Sequence, residues 1–267
     1  MSIQLNRRHL DFKAVKIQCL DEEKNKIPGA YASGFVLSEG DTLFLYTCWH
    51  VVTGFNIHNI EIARKLPNRK YIEVNLQNCE IRQPGVHAIG GTQTTVLPLY
   101  DSDGKKLWIQ NKQDVPNFEL NNIGLKIPFW NDIVKLPLPK TLSIHEVQLV
   151  KREDAFEYIA NLGDKVYLVG YPYGYSTFGN DRPTPIVLTR FIAANRMENR
   201  QEELLLDGSG APGMSGGPVF IEYGNQLYLC GLYSGLIYPD FAVDSNERTT
   251  ALGTMSQLSL WWSVNKE

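Results

Sequence analysis

The sequence predicts an all-β protein, a barrel or a sandwich. Short apolar or alternating stretches recur along the chain, turn-forming residues separate them, and helical spacing is confined to the tail. AVKIQC (14–19), SGFVL (33–37) and TLFLYT (42–47) are apolar, β-branched or aromatic, the composition of a pleated, half-buried surface. YIEVNL (71–76) and KVYLVG (165–170) alternate apolar and polar side chains. TTVLPLY and KLWIQ flank DSDG (101–104) and predict a hairpin. DSDG has part of a calcium-loop pattern, but its glycine comes too early and Lys112 stands where the closing Glu belongs. DIVKL (132–136), TPIVLTRFIAA, EELLLD, GPVFIEY and LYLCGLYSGL complete the set of strands. The proline-punctuated LPLPKTLSIHEVQ (136–148) marks a linker between two halves, 1–137 and 138–267. In MSQLSLWWSV (255–264), Met255, Leu258, Trp261 and Trp262 share helical spacing and predict a C-terminal helix.

Composition narrows the function classes. The 267 residues can bury a sizeable core, and 43% hydrophobic with 21% charged residues is ordinary for a globular protein. The net charge of −3 and scattered Lys and Arg argue against a nucleic-acid partner. No signal-peptide core opens the chain and no run of about 18 apolar residues occurs, so no membrane association is expected. Cys19, Cys48, Cys79 and Cys230 contain no Cys-x-x-Cys pair, so no structural metal is expected and the cysteines read as free thiols in a reducing, cytoplasmic compartment.

GAPGMSGGPVF (210–220) crowds four glycines and two prolines around Ser215. A serine hydroxyl attacks only when a base takes its proton, and the oxyanion that forms needs donors already aimed at it. Glycines permit the curl that points two backbone amides into one hollow, which nominates the N–H groups of Gly213 and Ser215. Alone, Gly-x-Ser-x-Gly reads equally well as a glycine-rich hairpin. The five histidines, His9, His50, His58, His87 and His145, all precede Ser215. An α/β-hydrolase needs its histidine after the serine, and a subtilisin-like order needs an α/β scaffold. The order that survives is His, Asp, Ser on a β fold.

TLFLYTCWHVV delivers His50 from a strand into a turn, and GMSGGPVF carries Gly-x-Ser-Gly-Gly-Pro. Together with ASGFVLSEGDTLFLYT and GLYSGL (231–236), these stretches resemble the motifs of trypsin/chymotrypsin-like serine peptidases, closest to bacterial cytoplasmic and high-temperature-requirement-type (Deg) members. The resemblance spans roughly residues 14 to 262, in scattered pieces in the correct order. It implies two six-stranded antiparallel β-barrels and a C-terminal helix, with His and Asp on the first half and Ser on the second. WNDIVKL matches the family's Asp-(Ile/Val)-(Ala/Val)-x-Leu and makes Asp132 the third member, 82 residues beyond His50, a longer gap than the family's usual one. Asp114, in DVPNF, is the runner-up, set back by its proline.

The same resemblance places Ser209 at the base of the primary pocket. Ser234, Gly235 and Leu236 form one wall and the region of Leu252 and Gly253 another. Ser209 is not acidic, and Asp207 is two positions off, so a small or medium uncharged substrate side chain is expected. Met214 replaces the aspartate that pairs with a freshly cut N-terminus in secreted relatives, which implies no activation by N-terminal cleavage. The family's disulfide around the histidine lacks its partner cysteine, leaving Cys48 a small apolar residue beneath the site. The expectations are a serine endopeptidase without cofactor or metal, acting on protein or peptide substrates, with a regulatory protein partner allowed. The alternative is a latent or non-catalytic peptide-binding relative that serves as a subunit of a larger assembly.

Overall fold

The computed structural model describes residues 7–54, 69–83, 86–110, 132–151, 161–177, 183–198, 201–223, 226–237 and 252–257. Among these residues fourteen strands and one short α-helix follow in order, with brief 3-10 turns besides: β1 (Val15–Leu20), β2 (Lys26–Glu39), β3 (Thr42–Cys48), α1 (Trp49–Thr53), β4 (Tyr71–Gln83), β5 (Val86–Pro98), β6 (Ile109–Gln110), β7 (Ile133–Pro137), β8 (Leu149–Lys151), β9 (Lys165–Gly170), β10 (Ile186–Glu198), β11 (Gln201–Leu206), β12 (Pro218–Tyr223), β13 (Gln226–Ile237) and β14 (Leu252–Gln257). The protein is all-β, as the strand spacing predicts. Among the described residues no helix is long and apolar enough to cross a membrane.

The strands form two sets. The first is an eight-stranded sheet in the order β5-β4-β1-β2-β3-β7-β6, with β8 added in parallel to β2. It is an open path among the described strands, which differs from the six-stranded barrel the resemblance implies. The 14-residue β2 serves three partners: its first part, from Lys26 to Gly34, pairs with β1, while Phe35–Glu39 pairs with β3 and, on the other edge, Val36–Ser38 pairs with β8. It changes partner at Gly34, where a Cβ would lie 2.7 Å from the Tyr46 carbonyl oxygen, so only glycine allows this approach. β8 shows that the chain still belongs to the first sheet beyond the proline-punctuated stretch.

The second set pairs around a closed circuit, β10-β11-β14-β13-β12-β9. Period-two alternation on β9 explains its burial on both faces. Val166 and Leu168 pack with Leu204, Leu206 and Val219 inside the circuit, while Tyr167 and Val169 join the core of the first sheet. Residues 255–257, where the spacing predicts the start of a helix, belong to β14 instead. β14 pairs with both β11 and β13 and closes the circuit. Pairing on two edges outweighs a helical period in so short a stretch. The remainder of that predicted helix lies outside the described residues.

The Asp101–Gly104 turn forms as expected. The Asp101 carboxylate accepts from the amides of Asp103 and Lys105 at 3.0 and 2.8 Å, so backbone donors occupy it. Tyr100 and Lys106 bridge the stem of that turn.

Candidate active site

His50 sits in α1, one residue after β3 turns into the helix. Gly54 ends this helix at φ +76°, and its amide donates to the His50 carbonyl at 3.0 Å. The Arg69 guanidinium donates to the carbonyls of His50 and Val51 at 2.9 and 2.5 Å, and so caps the same end. Sequence reasoning missed Arg69, because it acts through the backbone from a distance that no motif marks.

Asp132 immediately precedes β7, which pairs with β3. That pairing carries the carboxylate to the imidazole. Asp132 Oδ2 accepts from His50 Nδ1 at 2.8 Å, and Oδ1 accepts from the His50 amide at 3.0 Å. The Trp49 amide donates to the Asp132 carbonyl at 3.1 Å. The Asp132 side chain is 6% exposed and that of His50 25%. With Nδ1 committed to the carboxylate, the neutral ring carries its lone pair on Nε2.

Ser215 lies in the turn between β11 and β12. Segments associated with the two sets of strands meet beside it. The Tyr233 carbonyl accepts from the Gly216 amide at 2.8 Å and from the Cys48 thiol at 3.3 Å. Cys48 is two residues from His50, and Gly216 directly follows Ser215. The fit is close: a Cβ on Gly216 would lie 2.3 Å from both the Ser33 carbonyl oxygen and Thr47 Oγ1, and 3.0 Å from the Cys48 nitrogen. Ser33 ties the turn further. Its amide donates to the Ser215 carbonyl at 2.9 Å, its hydroxyl donates to the Gly213 carbonyl at 2.7 Å, and the Tyr171 amide donates back to that hydroxyl at 2.9 Å. The Ser215 hydroxyl has no hydrogen bond to another described residue, His50 included.

The amides around the serine divide cleanly. Those of Met214, Gly216 and Gly217 donate to Ala211, Tyr233 and Met214. Those of Gly213 and Ser215 donate to no acceptor among the described residues. Gly213 adopts φ +95°, and a Cβ there would meet the Tyr171 carbonyl oxygen at 2.5 Å. Glycine is therefore required on both counts. Met214 is fully buried in the core of the second set, with no carboxylate in its place.

Around the expected pocket, Arg190 donates to the Ser209 carbonyl from Nη2 at 2.7 Å and from Nε at 3.3 Å. The Tyr233 hydroxyl accepts from the Gly210 amide at 2.9 Å, and its ring lies where a Cβ on Gly210 would sit 2.7 Å away. Arg190 and Tyr233 went unnoticed in the sequence, being ordinary strand residues there. Ser234 is the extra residue of a bulge between Tyr233 and Gly235, and its hydroxyl engages the Cys48 thiol. Gly235 and Leu236 are half-buried on β13. Leu252 and Gly253 open β14, opposite Ile237 and Leu236. Asp207 accepts from the Phe191 amide at 3.0 Å, and Asp114 lies outside the described residues. His145 caps a short 3-10 turn through the Val147 amide.

Donor atoms of Cys48, His50 and Asp132 lie within 4.8 Å of one another. Burial, then the adjacent Asp132 carboxylate, pushes the Cys48 thiol well above its usual pKa, in keeping with its role as a donor to the Tyr233 carbonyl. Compared with known proteins, no family model matches the chain, and no curated protein does.

Proposed function

We propose that the protein is a serine endopeptidase of trypsin-like type, with Ser215 as nucleophile, His50 as general base and acid, and Asp132 as the group that orients the imidazole. The observation that carries this reading is the bidentate hold of Asp132 on His50, beside a serine turn whose Gly213 and Ser215 amides donate to no acceptor among the described residues. His50 Nε2 takes the proton from Ser215 as Oγ attacks the scissile carbonyl. The two amides receive the oxyanion, and His50 returns the proton to the leaving amine. Water, activated by the same nitrogen, then releases the acyl group. Asp132 keeps the proton on Nδ1 and stabilises the imidazolium.

Tyr233 fills space beside Ser209 and Gly210, and Arg190 sets a cation behind Ser209. Both favour a small uncharged side chain and disfavour Lys or Arg. With Met214 in the core, the site forms without a new N-terminus. The chain suits a reducing cytoplasm, since Cys19, Cys48 and Cys230 are free and buried. The further structural reading, two barrels with the site between them, draws support from the closed second circuit.

One observation favours the second reading, a latent peptide-binding module: the Ser215 hydroxyl is not bonded to His50. Such bonds are commonly loose before substrate arrives. The deciding experiment incubates the uncut full chain with a mixed peptide library and identifies products by mass spectrometry. The hydrolase reading predicts cleavage after small residues that Ser215→Ala abolishes. Intact peptides throughout, with peptide binding retained, would establish the second reading instead.

A further inference from the structure

Two peptide planes set the hollow between the Gly213 and Ser215 amides. In a trans peptide the carbonyl and the N–H that follows it point in opposite directions, so whatever grips the carbonyl aims the amide. The plane of the Ser215 amide is gripped inside the serine turn, where the Gly217 amide donates to the Met214 carbonyl at 2.9 Å. The plane of the Gly213 amide is gripped from outside the turn: the Tyr173 amide donates to the Pro212 carbonyl at 2.5 Å. Tyr173 stands at φ +52° and ψ +25°, in the left-handed region, a strained conformation for a bulky side chain. Such a residue keeps that conformation only while its surroundings hold it.

The anchor is Tyr171, which opens the short 3-10 turn Pro172–Gly174 and is fully buried. Its amide donates to Ser33 Oγ at 2.9 Å, and its carbonyl accepts from the Gly174 amide at 3.0 Å. Its hydroxyl donates to the Pro183 carbonyl at 3.0 Å, with the Ala14 carbonyl at 3.4 Å. The buried Gln77 side chain on β4 donates to the same Pro183 carbonyl at 2.7 Å and to the Asp11 carbonyl at 2.5 Å. Leu10 and Ala14 lie in the core of the first sheet, and Lys13 Nζ donates to the Leu149 carbonyl of β8 at 2.6 Å. Residues 10–14 are thus fastened to the first sheet and meet, at the Tyr171 hydroxyl, the turn that grips Pro212.

We propose that Tyr171 is a positioning residue, through which residues 10–14 and Gln77 keep the Gly213 amide aimed into the hollow. The inference rests on the hydrolase reading and adds to it a hold on one oxyanion donor. Without the Tyr171 hydroxyl the turn loosens, Tyr173 relaxes out of its left-handed conformation, and the Pro212–Gly213 plane is free to rotate. The hold on His50 runs through Asp132, Gly54 and Arg69, a separate set of bonds, and survives this change.

The test compares the full-length parent with Tyr171→Phe, which keeps the ring and deletes only the hydroxyl. The readings are kcat and KM on a cleaved peptide, and the rate at which a fluorophosphonate modifies Ser215. Removing an oxyanion donor outright costs about 10²–10³-fold, so loosening one is expected to slow kcat and the fluorophosphonate reaction roughly tenfold, with KM within about twofold. The pH of half-maximal rate, which His50 sets, is expected to stay where it is in the parent. Gln77→Met, close in volume but without the donor, should slow the same two rates by a smaller factor. All rates are read well below each variant's melting temperature. A variant that melts lower yet reacts as fast as the parent, or one that slows with KM or the pH midpoint moving as well, would overturn the inference. If Tyr171→Phe does not fold, Gln77→Met decides by the same readings. A parent that neither cleaves peptides nor takes the phosphonate removes the hydrolase reading and this inference together. A parent that does both, with variants indistinguishable from it, removes the inference alone.

Discussion

His50 is fixed from three directions: by Asp132 at Nδ1 and at its own amide, by Gly54 and Arg69 at its carbonyl, and by the β3 ladder just before it. This hold selects one tautomer, and the account predicts what its loss does. Asp132→Asn keeps the shape but offers an amide that can donate to Nδ1, so the ring proton moves to Nε2 and the base is lost. The turnover number should fall by about 10⁴-fold at neutral pH, with KM little changed, as read by steady-state kinetics on a cleaved peptide. An asparagine variant of near-parental activity would remove Asp132 from its role. At this scale the motif residues were legible because the order of His, Asp and Ser is itself informative. Ser33, Arg69 and Tyr233 were not, because their bonds join residues far apart in sequence and each type is common on any strand.

At the scale of elements, the serine turn works as a plug pressed against the β3–α1 junction. Gly216 and Gly29 separate two reasons for a glycine. Both have positive φ, +84° and +73°, but a Cβ on Gly29 meets nothing within 4 Å, whereas one on Gly216 strikes Ser33 and Thr47 at 2.3 Å. Gly29→Ala should cost about 1 kcal/mol, the backbone term alone. Gly216→Ala should cost about 3 kcal/mol or more, because the halves must part to admit the methyl group. Thermal melts of the two variants compare these directly, and equal shifts would show that the approach at Gly216 is loose. Elements with strong local patterns, β1, β3, β7 and β12, could be read from sequence. β14 could not, because its helical spacing is overridden by the two edges it joins. The length of the β4–β5 hairpin was also hidden, since its pairing continues past the alternating YIEVNL stretch to Gln83 and Val86.

For the whole molecule, the two sets of strands share one continuous core. Tyr167, Val169, Phe220, Leu229 and Leu232 of the second pack with Ile17, Phe35 and Leu45 of the first. Free thiols lie in both: Cys19 and Cys48 in one core, Cys230 in the other. Burial raises all three, Cys230 to about 12. A raised acid favours the folded state only while both states keep the proton. As pH passes the unfolded value of 9.0, the unfolded chain releases protons that the folded chain retains. Stability should therefore be level up to about pH 8 and then fall, by as much as about 1.4 kcal/mol per pH unit for each thiol. Urea unfolding from pH 7 to 10.5 measures this, and Cys230→Ala should flatten the fall. A stability that rises across this range would contradict the burial of the thiols. The all-β class was legible at this scale from turn spacing alone, whereas the open first sheet was not, since closure depends on which edges meet in space.

The central claim is that an imidazole held by the first sheet reaches a hydroxyl held by the second. The most direct measurement is reaction of the full chain with a fluorophosphonate, with the modified residue mapped by mass spectrometry. The account predicts a single adduct on Ser215, absent in Ser215→Ala and strongly slowed in His50→Ala. No adduct, or one whose rate is indifferent to His50, would contradict it.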